Sequence, residues 1–278
     1  MSSKTSAYLQ LIRPVNVVIT AISIAAAVLL AGGMSVTIST ILLASLTGAL
    51  VAGGANAIND FFDIEIDRVN RPDRPLPNGK LERADARRTW LVLSGTAIVL
   101  NCFVNAAALG IVVIAVAILH VYSAKLKRTV LAGNVAVAAM TGTAFLYGGA
   151  VSGNINRTFI PALFAFLINL GRELVKDAED VEGDSRDHAI TLPVKYGVPA
   201  TLYGASAVLL ILVAATIVVS LLSMYGRAFI YVVSAVDLMV CYVAIKLLWK
   251  PGREQLHQFS LLLKVAMVGG LVSILAGS

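Results

Sequence analysis

The stretch Thr37–Asp67, TISTILLASLTGALVAGGANAINDFFDIEID, decides how the rest of the chain is read. Residues 37–59 contain no Asp, Glu, Lys or Arg, and then Asp60, Asp63 and Asp67 arrive within eight positions. A helix rises ~1.5 Å per residue, so a run of this length is enough to cross a hydrocarbon core of ~30 Å. The apolar residues are continuous rather than alternating, which selects a helix over a barrel strand. The segment therefore reads as a membrane span that carries carboxylates out at one end.

The composition agrees. Of 278 residues, 58% are apolar and 14% charged, and the mean hydropathy is +0.84. A soluble domain carries about 45–50% apolar and roughly 25% charged residues, so a water-soluble enzyme, a disordered chain and a disulfide scaffold are all excluded. Cys102 and Cys241 sit in apolar runs and read as small hydrophobes. Apolar stretches at 14–33, 37–59, 89–107, 109–122, 130–151, 158–175, 200–223, 227–248 and 258–277 predict nine spans. The expected class is all-α, a polytopic membrane protein forming one domain over 1–278. The N-terminus lacks the small-residue cleavage pattern of a signal peptide, so the first span is expected to be retained.

Basic residues set the orientation. Twenty of the 22 Lys and Arg fall in the N-terminus and the segments around 60–88, 123–129, 172–199 and 246–264, leaving only Arg157 and Arg227 on the other side. The positive-inside rule then predicts a cytosolic N-terminus and cytosolic Asp-rich segments at about 59–88 and 172–199. The net charge of +6 follows from this topology and calls for no nucleic-acid partner.

The acids are still more concentrated. Twelve of 16 lie in 60–73 and 173–187. Both windows read D-x-x-D-x-x-x-D, at Asp60, Asp63, Asp67 and again 117 residues later at Asp177, Asp180, Asp184, and each precedes a Leu-Pro pair. Matched motifs separated by an even number of spans predict two pseudo-repeated halves of four or five helices with a functional site between them. On a helix, Asn59, Asp63 and Asp67 drift only ~40° per step and share a face. Crowded carboxylates at membrane depth need neutralising. Oxygen-lined ridges suit magnesium, which takes one or two carboxylates and completes its octahedron with water and phosphate oxygens. Asn59, Asp60, Asp63 and Asp67, with Asp177, Asp180 and Asp184, are the candidate ligands.

Magnesium held this way implies phosphate, and basic groups lie on the same side as the motifs: Arg13, Arg71, Arg74, Lys125, Lys127, Arg128, Arg172 and Lys176. A bilayer site with such a collar fits a lipid diphosphate, its head on the metal and its chain among the helices. His120, His188 and His257 are scattered without metal spacing, no Gly-x-x-x-x-Gly-Lys loop exists, and Asp237 in the eighth span has no evident partner.

Four motifs carry a resemblance: Asn59-Asp60-x-x-Asp63-x-x-x-Asp67, Asp177-x-x-Asp180-x-x-x-Asp184, Arg13-Pro-x-Asn16 and Tyr122-Ser-x-x-x-Lys127-Arg128. Together, and over the whole chain, they resemble the UbiA superfamily of intramembrane prenyltransferases. The resemblance implies nine transmembrane helices around a central cavity, cytosolic Asp-rich loops capping it, and magnesium-dependent transfer from a prenyl diphosphate donor to a lipid or hydrophobic acceptor. It implies metal ligation by Asn59, Asp63 and Asp67 and by two of Asp177, Asp180 and Asp184. It also implies diphosphate binding by Lys127, Arg128 and Lys176, with Arg13, Asn16 and Arg71 nearby, and Tyr122 beside the reacting carbon.

Within that superfamily the run Gly171–Asp184 most resembles the branch that geranylgeranylates geranylgeranylglyceryl phosphate at its sn-2 hydroxyl, in cell-membrane ether-lipid synthesis. An aromatic or haem acceptor is the alternative within the same chemistry. A cation transporter is the alternative outside it, though it would place acids nearer mid-membrane.

Overall fold

The computed structural model describes residues 3–186 and 189–278; Asp187 and His188 of the second acidic window lie outside the described residues. The described residues form eleven α-helices: α1 (Ser3–Ile12), α2 (Pro14–Gly32), α3 (Ile38–Asn70), α4 (Arg83–Asn101), α5 (Ala106–Ala124), α6 (Ala132–Val151), α7 (Phe159–Arg186), α8 (Leu192–Tyr196), α9 (Val198–Leu221), α10 (Arg227–Leu247) and α11 (Arg253–Gly277).

Nine of these have 19 residues or more, one for each expected span, but only eight are long and apolar enough to cross a membrane. The exception is α4. Four of its first six residues (Arg83, Asp85, Arg87 and Arg88) are charged, which leaves an apolar stretch well short of a hydrocarbon core. The expectation of nine crossings thus meets eight spans by length and composition. Large side chains such as Val15, Ile19, Leu42, Leu221 and Leu238 stand exposed along the spanning helices, an outer surface suited to lipid rather than water.

Three boundaries differ from the sequence reading. A helix precedes the first span, because Ser3–Ile12 folds as α1 before Arg13 turns the chain. Arg13 takes a left-handed φ of 55°, uncommon for a residue with a Cβ, and Pro14 then opens α2 at a position where its missing N–H costs nothing. The third and fourth spans break at Cys102–Asn105 rather than near 108, where the Asn105 side chain accepts from Ala108 N–H at 2.8 Å and caps α5. Finally, α3 and α7 run eleven residues past the apolar stretches that end at 59 and 175. Both aspartate motifs therefore ride on helices, where the resemblance implied loops.

The chain divides into two compact units: residues up to Leu126 with Thr143–Phe159, and Lys127–Gly142 with Ile160–Ser278. The chain changes unit after Leu126, within α6 after Gly142, and again at the start of α7 after Phe159. In the first unit α3 packs against α1, α2, α4 and α5. A buried polar knot fixes its register: Asn101, fully buried, donates to Thr47 at 3.1 Å and accepts from Tyr147 Oη at 3.0 Å, tying α3, α4 and the end of α6. Gly148 lets α6 lie on α2, since a Cβ there would come within 2.5 Å of that of Ala27.

In the second unit α10 packs between α9 and α11. Ser206 Oγ donates to Ala244 O at 2.9 Å and Thr216 Oγ1 to Asp237 at 2.8 Å, both across α9 and α10. The intramembrane acid that lacked a partner in the sequence thus has one.

Candidate active site

The first motif occupies the last three turns of α3. Asp60, Asp63 and Asp67 are all buried, at most 5% exposed, so each must be compensated. Asp60 is paired with Arg13 and, at 3.2 Å, with Arg74; the same Arg74 guanidinium also bonds Asp67 at 2.5 Å. Asp60 and Asp67 are seven residues apart, within ~20° around the helix, which is why one arginine bridges them. Asp63 lies on the neighbouring row, where Asn59 Nδ2 donates to it at 3.0 Å. The single ridge expected from the sequence is in fact two: an arginine-bound pair, and an Asn59–Asp63 pair of oxygen donors.

Two devices aim the arginines. Asn56, one turn before Asn59, donates to Ile12 O at 2.8 Å and accepts from Arg13, clamping the α1–α2 corner against α3. Arg74 is carried by a loop held by backbone bonds Asn78 N–H to Arg74 O (3.0 Å) and Leu81 N–H to Pro75 O (3.0 Å). Leu76 and Leu81 of that loop are buried with Ala7, Leu11, Ala57, Ile64 and Ala86 from α1, α3 and α4. The loop thus delivers a charge from a hydrophobic footing.

The second motif lies on the last turns of α7. Asp177 accepts from Asn134 Nδ2 on α6 at 2.8 Å, Glu173 accepts from Arg172 at 2.8 Å, and Glu179 meets His257 of α11 at 2.8 Å. Asp177, Asp180 and Asp184 are half-buried and Lys176 is exposed. Past α7, Ala189 N–H donates to Asp184 O and Ile190 N–H to Arg128 O, both near 3 Å, so the Lys127–Arg128 turn is stitched to the segment that follows the motif.

The remaining expected residues are more scattered. Lys125, Lys127 and Arg128 are exposed on the turn after α5, and Tyr122 is half-buried on the last turn of α5. Asn16 is exposed on the first turn of α2, and Arg71 is exposed just past α3. Two site residues escaped the sequence reading, Asn56 and Asn134, and Arg74, expected among the basic groups that meet phosphate, instead bridges Asp60 and Asp67. Asn134 carries a signal that could have been used, since it is the one asparagine in its helix and has no charged neighbour there.

The donor set is chemically uniform. Around both motifs the available groups are carboxylate and amide oxygens, the ligands of a hard cation. Among the described residues no three Asp, Glu, His or Cys side chains converge to hold an ion by themselves. That fits magnesium, which uses one or two carboxylates and leaves the rest of its shell to water and substrate oxygens.

Residues 20–268 match the UbiA prenyltransferase family. The chain belongs to that family. It is a UbiA-type multi-pass membrane enzyme that transfers prenyl groups. Among its relatives, the digeranylgeranylglyceryl phosphate synthases of Methanosphaera stadtmanae and Thermococcus kodakarensis are 34% and 36% identical, each match covering 98% of both chains. A solved structure concerned with digeranylgeranylglyceryl phosphate synthase in membranes superposes with a TM-score of 0.88 at 34% identity, covering 99% of this chain and 98% of the other. The UbiA homologue of Archaeoglobus fulgidus, solved with GPP and Mg2+, shares the fold at a TM-score of 0.73 and 18% identity, over 96% of this chain and 99% of its own.

Proposed function

We propose that this UbiA enzyme transfers a geranylgeranyl group from its diphosphate to the sn-2 hydroxyl of geranylgeranylglyceryl phosphate, on the cytosolic face of the cell membrane. The observation that carries this reading is full-length similarity to synthases of that product, at 34–36% identity, together with a paired aspartate motif embedded in apolar helices. Asn59 and Asp63, with Asp180 and Asp184, supply oxygen donors for magnesium; when bound, the ion neutralises the diphosphate as its charge develops.

The protein's own residues do the rest. Lys127, Arg128 and Lys176 bind the diphosphate oxygens, with Lys125 and Arg71 adding positive potential at the aqueous end. The bridged trio of Arg13, Asp60 and Arg74, with Asp67, holds the end of α3 rigid so that Asn59 and Asp63 are presented in one geometry. Tyr122 is assigned to the reacting C1 carbon, where a π-face would favour developing positive charge. The C1–oxygen bond of the donor breaks, the sn-2 oxygen bonds to C1, and the hydroxyl proton leaves with the diphosphate.

The test is product identification. Purified protein given labelled geranylgeranyl diphosphate and a panel of acceptors yields the doubly prenylated glycerol phosphate in the presence of magnesium. Transfer to an aromatic acceptor instead, or magnesium flux into liposomes without transfer, overturns the assignment.

A further inference from the structure

Among the described residues, the second unit buries three side-chain polar atoms without a hydrogen-bond partner: Asn169 Nδ2 and Arg172 Nε on α7, and Thr191 Oγ1 beyond it. Asn169, 5% exposed, and Arg172 lie one turn apart on α7, and neither Asn169 Nδ2 nor Arg172 Nε has an acceptor within hydrogen-bond distance. Arg172 engages Glu173 through a terminal nitrogen only. Orphaned donors are costly in any interior and more so at membrane depth, where water offers no alternative. Two on successive turns of one helix mark a place prepared for an acceptor-rich ligand.

Their direction narrows the ligand. Asn169, Arg172, Lys176 and Asp180 fall within about 80° around α7, so the orphans continue the same face that carries Lys176 and the second aspartate motif. Gly171, turned roughly 160° from Asn169, is the side laid against α9, where a Cβ would meet Leu209 at 2.7 Å. The donors therefore do not point at α9. Both orphaned nitrogens can only donate, and one belongs to a permanent cation, so the strongest partner is an anion rich in lone pairs.

We infer that Asn169 and Arg172 form the subsite for the phosphate group of the acceptor. The inference rests on the acceptor being a glycerol phosphate, as proposed above. In that molecule the phosphate and the reacting hydroxyl sit on adjacent carbons, so both must be met within about one helical turn, ~5.4 Å. Arg172 lies one turn from Lys176 and Asn169 two, towards the membrane interior from the motif. Arg172, which the sequence placed with the donor's diphosphate, is thereby assigned to the acceptor. Glu173 orients the guanidinium and leaves its Nε edge for the ligand.

The test separates the two substrates. In Asn169→Leu and Arg172→Gln, the KM for geranylgeranylglyceryl phosphate rises at least ~10-fold while the KM for geranylgeranyl diphosphate stays within about twofold, as expected for loss of a hydrogen bond to a charged group. The preference for the phosphorylated acceptor over unphosphorylated geranylgeranylglycerol falls by a similar factor, and the acceptor no longer raises the melting temperature of the detergent-solubilised protein. Arg172→Lys restores part of the preference, and Asn169→Ser stands in if the leucine variant does not fold.

An unchanged acceptor KM, or an equal rise in both KM values, overturns the inference while leaving the proposed function standing. A wild-type protein that prenylates no glycerol phosphate overturns both.

Discussion

The two aspartate motifs share one spacing and live in different electrostatic surroundings. On α3 the carboxylates are buried, and two of the three are bound by Arg13 and Arg74, which come from 47 and 14 residues away in sequence. On α7 the corresponding carboxylates are half-buried, Asp177 accepts from the Asn134 amide, and His257 pairs with the neighbouring Glu179. The difference teaches that a repeated motif need not repeat a role residue by residue. The first copy has arginine counter-charge built in at Asp60 and Asp67, whereas in the second Asp177 is met by a neutral amide.

The sharpest way to break this comparison is at the positions that match in sequence. Asp63→Ala is expected to reduce prenyl transfer by at least ~100-fold, the scale of removing a group that supports charge in the transition state, with the melting temperature unchanged. Asp180→Ala should do the same on the other motif. Full turnover in either variant would remove it from the metal-binding set.

Asp60→Ala tests the opposite role and should act first on stability. It leaves Arg13 and Arg74 part-buried and short of a partner, a loss of about 3 kcal/mol seen in denaturation of the solubilised protein. Stability within ~0.5 kcal/mol of wild type would mean that the arginines are free to serve substrate instead. On the second motif, Asn134→Ala removes one hydrogen bond to the Asp177 carboxylate and should cost about 2 kcal/mol, with the larger change falling on the magnesium concentration needed for half activity.

The smallest effect lies outside both motifs. The Glu82 backbone N–H, bonded at 3.0 Å, holds the Asp85 carboxyl below the usual carboxylate range at the start of α4. Because the folded-state value is the lower one, this stabilisation is complete above the unfolded value of about 3.9 and is lost as pH falls through the folded one. Asp85→Asn should therefore flatten the acid limb of a stability–pH curve and leave neutral pH almost untouched. The exposed Arg68–Glu65 pair serves as the control, since its removal should change stability by less than ~0.5 kcal/mol.

How much was legible in the sequence follows from which forces are local. Hydropathy is additive along the chain, so every long helix was visible, and the motif spacing was visible because helical periodicity is fixed. What escaped depended on partners distant in sequence. No periodicity says that Arg74 turns back to bridge Asp60 and Asp67, because that depends on where Leu76 and Leu81 find their apolar footing. Nor does hydropathy reveal α1, a short helix whose apolar side is visible only once α3 and α4 are there to receive Ala7 and Leu11. At α4 the apolar run visible in the sequence is shorter than the helix, because charged residues begin it.

The polar knot at Asn101 has a consequence for how the chain is made. Its side-chain oxygen accepts from Tyr147, which is synthesised 46 residues later. At a translation rate of ~5–20 residues per second, the four helices that end at Asn101 wait for ~2–9 s before that bond can close. Through that interval the earlier segments lack one of their own latches. The ribosome thus delivers the fastening for the amino-terminal half only after it has begun to build the carboxy-terminal one.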